Sequence, residues 1–202
     1  MHRFFDRVRL IACAAAVLLS VSEASANAQS AYDVQGGRTT VTLSSTLLAA
    51  LTDLKVTPGT VTPTELAGRK VNFPITSGVM DLETAKVQLL HSGGLTFTAG
   101  DDSVEIGSFV IDTSSAIPQI TGTVTANGKL LGRVALFQLV LPSGLRLPLA
   151  PSDGGLKLSG VKVLLTAGAA ADLNSVFHVN AFKGGLVIGT AEVNALLPWN
   201  AK

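Results

Sequence analysis

Few side chains in this sequence have the chemistry to act on a ligand. Beyond residue 30 there are two histidines, His91 and His178, and one tyrosine, Tyr32. His91 closes an apolar stretch just before Ser92-Gly93-Gly94, where an imidazole can serve as an axial ligand to haem iron or another metal. The same place suits a structural histidine that hydrogen-bonds the glycine turn. His178 ends a helical pattern, where its ring can cap free carbonyls. Asp101, Asp102 and Glu105 cluster at a turn and form the kind of oxygen set that calcium prefers, without EF-hand spacing. A solvated turn is the favoured reading of them, as it is of Asp81 and Glu83. No His-x-x-x-His pair and no Gly-x-Ser-x-Gly elbow is present, so the expectation is a protein that is not an enzyme.

The N-terminus sets the compartment. Arg3, Arg7 and Arg9 precede the apolar run Leu10 to Val21, and Ala26-Asn27-Ala28 then offers a small-residue cleavage site. That order reads as a secretory signal over residues 1–28, cut after Ala28, with export to the periplasm, the cell surface or the medium. The run is shorter than the roughly 20 residues a membrane span needs. Cys13 precedes most of the hydrophobic stretch, so Leu10-Ile11-Ala12-Cys13 is not a lipoprotein box, and the mature chain carries no cysteine. Disulfides and thiolate-held metals are thereby excluded. Arg3, Arg7 and Arg9 are three of the fifteen basic residues, and Asp6 and Glu23 two of the fourteen acidic ones, leaving the mature part balanced. With no basic tract, nucleic acid has no electrostatic foothold.

The elements that must position these residues are mostly strands. Residues 29–38 read as a polar, flexible lead-in, and residues 39–202 as one domain. Thr39 to Leu43 is a β-branched run, and Leu47, Leu48, Leu51 and Leu54 then recur at helical spacing, predicting a short helix over about 45–54. From Lys70 the period changes to two. Val71, Phe73 and Ile75 alternate with polar residues, and Pro74 suggests an edge or a strand end. Further short strands follow, bounded by glycine, aspartate or serine. Asn127-Gly128 supplies the positive φ angles of a tight hairpin. A second helix is predicted near 167–178, preceded by a strand as the first one is, so that the two helices occupy related places at opposite ends of the fold. The expected class is mainly β, an antiparallel β-sandwich with two short helices. An outer-membrane barrel is disfavoured by short strands and interrupting helices.

The run Val71-Asn72-Phe73-Pro74-Ile75-Thr76-Ser77-Gly78-Val79-Met80-Asp81-Leu82-Glu83-Thr84, followed by His91-Ser92-Gly93-Gly94-Leu95-Thr96-Phe97 and by Val104 to Asp112, resembles the HtaA-like domain of bacterial exported and surface proteins. Ala169-Ala170-Ala171-Asp172-Leu173-Asn174 and Gly184 to Ala191 also fit such chains. The resemblance implies a β-rich domain of the cell envelope that binds haem through a tyrosine and a histidine. On this chain those roles fall to Tyr32 and His91. If Phe97-Thr98 matches the family's pattern, the expected histidine falls at Gly100, and the first helix carries no tyrosine.

Two functions remain. One is a binding module for haem or another hydrophobic ligand, which requires a pocket near His91 with aromatic walls. The other is an adhesive or matrix-type surface protein with a protein partner, which requires an exposed apolar patch and no pocket.

Overall fold

Alternation of inward apolar and outward polar side chains governs most of the chain. The computed structural model describes residues 31–198; the expected signal segment, Cys13 and Trp199 lie outside them. The elements in order are β1 (Ala31–Val34), β2 (Gly36–Leu43), α1 (Ser45–Asp53), β3 (Thr57–Val61), β4 (Glu65–Ala67), β5 (Lys70–Asp81), β6 (Val87–His91), β7 (Gly94–Ala99), β8 (Asp102–Asp112), β9 (Gln119–Ala126), β10 (Lys129–Val140), β11 (Gly155–Leu165), α2 (Ala167–Val176) and β12 (Val187–Leu196). Both helices lie where their spacing predicts them. Residues 31–34 and 36–38, expected as lead-in, are strand: β1 pairs with β5, and Val34 turns into the core.

The expected sandwich is instead a closed barrel. Eight strands form an unbroken antiparallel ring, β5-β2-β12-β11-β10-β9-β8-β6 and back to β5. Closure depends on two long strands that change neighbours along their length. β5 pairs with β4 through Lys70–Asn72 and then with β6 from Ile75 to Met80. β8 pairs with β7 from Asp102 to Gly107 and then with β6 from Val110 to Asp112. The short strand β6 is thus the stave that shuts the ring. Pro74 sits inside β5, not at its end. Its carbonyl accepts from Ser92 N–H, so its missing N–H faces the side where the neighbour changes from β4 to β6. There a ladder donor is not needed. Gly78 permits the close approach at this seam: a Cβ there would lie 2.4 Å from the Gln88 carbonyl oxygen.

The lumen is apolar, and the outer surface is largely polar with exposed apolar residues among them, such as Val79, Leu90, Leu130 and Leu131. Val71, Phe73 and Ile75 of β5, Val104 and Ile106 of β8, and Ala191, Val193 and Ala195 of β12 are buried, while Lys70, Glu105 and Lys162 face out. A membrane-spanning barrel has the reverse pattern. No helix among the described residues is long and apolar enough to cross a membrane.

Both helices stand at the same end of the barrel, correcting the expectation of opposite ends. The reason is topological. β2 and β11 each pair antiparallel with β12, so they run in the same direction, and the helices that follow them leave the ring together. Ser44 caps α1, accepting from Leu47 N–H at 3.0 Å while donating to the Val187 carbonyl at 2.6 Å. Thr166 repeats the device on α2, accepting from Ala169 N–H at 3.1 Å and donating to the Ala135 carbonyl at 2.8 Å. Each cap both starts a helix and fastens it to the barrel.

Candidate functional site

An eight-stranded barrel has an interior that side chains can fill or that can hold one small ligand. Here it is incompletely filled. At the helix-flanked end, Leu47 and Leu51 of α1 and Ala169, Leu173 and Val176 of α2 face Phe97, Leu136, Phe177 and Phe182 around a cavity of about 90 Å³. Deeper in the lumen lies a second space of about 50 Å³, walled by Phe73, Phe109, Phe137, Ile111, Ile120 and Val163, with Thr39 and His91. The two share Leu43, Val71, Leu95, Phe137 and Ile188 as walls and are in line. Phe73 and Phe109 meet edge to face, their ring centres 5.2 Å apart, and brace the inner space.

His91 is the polar feature of this interior. It is 6% exposed, and its Nε2 shares a 2.8 Å hydrogen bond with Thr39 Oγ1 over the inner face of β5, the strand that lies between theirs. This is the structural histidine anticipated from sequence, but its partner is Thr39 and not the glycine turn. Burial pulls the imidazole down from 6.5 to about 4, and the nearby backbone of Phe109 and of Leu89 offsets only part of that. Neither makes an aligned hydrogen bond with Nδ1, which has no partner. The ring is therefore neutral at physiological pH. Thr39 was missed as a site residue, although its parity with Val41 and Leu43 in a β-branched run places it on the inward face.

Tyr32 does not join His91. Tyr32 is opposite Met80 and His91 opposite Ile75, five positions apart on β5, which is about 17 Å of strand. Tyr32 packs at the edge of the core and lines neither cavity. The carboxylates also remain apart. Asp101 and Glu105 are exposed, while Asp102 accepts from Asn127 Nδ2 at 3.1 Å and lies 3.9 Å from His178 Nε2. No group of three potential metal ligands converges among the described residues. His178 follows the helix in the left-handed region, φ 54°, with its exposed ring toward Asp102 and not over the helix carbonyls.

The cavities can be tested against a porphyrin iron. In the outer cavity the one ionisable lining residue among those described is Asp172, which is exposed at the rim. Neither space by itself reaches the roughly 150 Å³ that accommodates a benzene ring, and the inner one holds His91, with Nε2 engaged by Thr39 and Nδ1 unpartnered. The lining therefore offers an apolar enclosure without an assembled axial ligand set.

No protein-family model and no curated protein matches the sequence. Solved structures do resemble the fold. The C-terminal domain of HtaA from Corynebacterium glutamicum superposes with a TM-score of 0.64 at 15% identity, over 83% of this chain and 99% of that one. The N-terminal domain of the same protein gives 0.60 at 12% identity, over 82% and 98%. The heme binding protein HtaB from that organism gives 0.56 at 9% identity, over 83% and 96%.

Proposed function

This chain carries an HtaA-like domain fold, and on that premise we propose that it is an exported binding module for an apolar small molecule, taken up at the helix-flanked end of the barrel. The observation that carries this reading is the pair of apolar cavities in line, running from between the helices to His91. The relative HtaB is a heme binding protein, which supports a ligand-binding role for the fold. For this chain, haem would rest on apolar enclosure alone, because Tyr32 and His91 lie apart and no coordinating side chain lines the outer cavity. The adhesive alternative required an apolar surface patch and no pocket, and the cavities favour the small-molecule reading. Export rests on the signal segment expected from the sequence over residues 1–28.

The test is uptake of xenon, an uncharged apolar probe smaller than a benzene ring, followed by xenon NMR. Saturable one-to-one binding is expected, weakened about tenfold or more by Ala169→Trp, which fills the outer cavity. Absence of any saturable shift of the xenon resonance with the unmodified chain would sink the reading.

A further inference from the structure

The outer cavity shares a wall with the surface. Outside it, between β10 and α2, lies a groove of about 330 Å³ lined by Val124, Leu131, Val134, Asp172, Ser175 and Val176. All of these except Ser175 also line the outer cavity. We propose that ligand enters through this wall, between a bulge in β10 and α2, and that the side chain of Leu131 is the gate. This rests on the binding reading above and names the route into that site.

Three observations converge on Leu131. The first is the ladder. Thr125 of β9 stands opposite Leu130, and Val124 opposite Gly132, so Leu131 stands opposite no residue of β9. Such a bulged residue is left out of the pairing, and its side chain can turn with little disturbance of the sheet. The second is a gap. Val124 is buried in the wall, and its partner Gly132 has no side chain to set beside it. A Cβ placed on Gly132 would meet nothing within 4 Å. Glycine is also what the backbone requires there, since φ is 112°. Bulge and gap thus come from one residue, and Leu131 is the side chain next to both. The third is exposure. Leu131 lines the cavity and is nevertheless 51% exposed, whereas Val124 and Leu136 of the same wall are buried. Leu131 therefore forgoes part of the burial that fixes those neighbours, and less free energy opposes its swinging aside. Asp172 and Ser175 on the facing wall are exposed, so an open gate leaves them hydrated.

Leu66 of β4 offers the competing route. It also lines the outer cavity and is 40% exposed, but it is held in register opposite Val71 of β5 without a bulge.

The experiment reads the rate at which xenon exchanges with the full chain, from the broadening of its resonance. Leu131→Ala shortens the gate and is expected to raise that rate about tenfold, and Leu131→Trp enlarges it and is expected to lower the rate about tenfold. Leu66→Ala opens the competing route, and Leu130→Ala shortens an exposed leucine that lines neither cavity. Both are expected to leave the rate unchanged. Urea unfolding of each variant separates gating from general loosening of the fold. An unchanged rate in both Leu131 variants, a rate that answers to Leu66 instead, or rates that merely follow stability across the four variants overturn the inference. In each of these cases xenon still binds, so the broader reading survives. Absence of a saturable shift with the unmodified chain removes both.

Discussion

The two halves of the barrel are built from the same strands yet closed by different means. Around Leu89 the ring is completed by backbone pairing, β5 to β6 to β8, and Leu89 is almost wholly inaccessible. At the other half, β5 and β8 have exchanged β6 for the flaps β4 and β7, and two capped helices cover the opening. Hydrogen-bonded closure holds strands about 4.8 Å apart and leaves little freedom to the side chains within. Helices laid over an open end meet the strands through side chains only, and small residues such as Ala169 and Ala170 do not fill the gap. The larger cavity therefore lies where secondary structure changes type. Packing is closer where the ladder is continuous, and the space left there beside His91 is the smaller one.

This contrast can be broken by truncation. Leu89→Ala removes a side chain from the sealed half and is expected to cost toward the upper end of about 2–5 kcal/mol in urea unfolding. Leu51→Ala, beside the existing cavity, is expected to cost toward the lower end of the same range. Equal losses would mean that the helix end is packed as tightly as the sealed half.

Acid sharpens it next. His91 titrates at about 4 when folded against 6.5 as its ordinary value. The unfolded chain thus binds the proton more readily. Stability is fully present above pH 6.5 and falls with pH until about 4, by roughly 3 kcal/mol in all. His91→Leu should flatten that slope in urea titrations across this window. An unchanged slope would show that another group carries it. Asp112 and Glu192 are held below the usual carboxylate range by hydrogen bonds, from Ser114 in the first case and chiefly from Asn194 and Lys157 in the second, so their contributions fall at lower pH.

The smallest effect belongs to the helix fastening. Thr166→Ala removes a cap and a tether at once and is expected to cost about 1 kcal/mol in thermal or urea unfolding. Because α2 walls the outer cavity, probe affinity should fall in the same variant. Lost stability with unchanged probe binding would separate the helix from the site.

What the sequence determined by itself is local. The period-two runs, the leucine spacing of α1 and the Asn127-Gly128 turn act between neighbours a few residues apart, and each predicted an element that the fold contains. The inward parity of Thr39 was legible too, but the identity of its partner was not, because His91 lies 52 residues away. Tertiary structure alone decided barrel over sandwich. The same strands at the same spacing serve either, and the choice depends on β5 and β8 each changing neighbours so that β6 can bridge them. It also decided that both helices cover one end, since that follows from β2 and β11 sharing the neighbour β12. The candidate site is formed by those two decisions. Its walls were visible in the sequence only as apolar residues, and the space between them exists because strand closure stops where the helices begin.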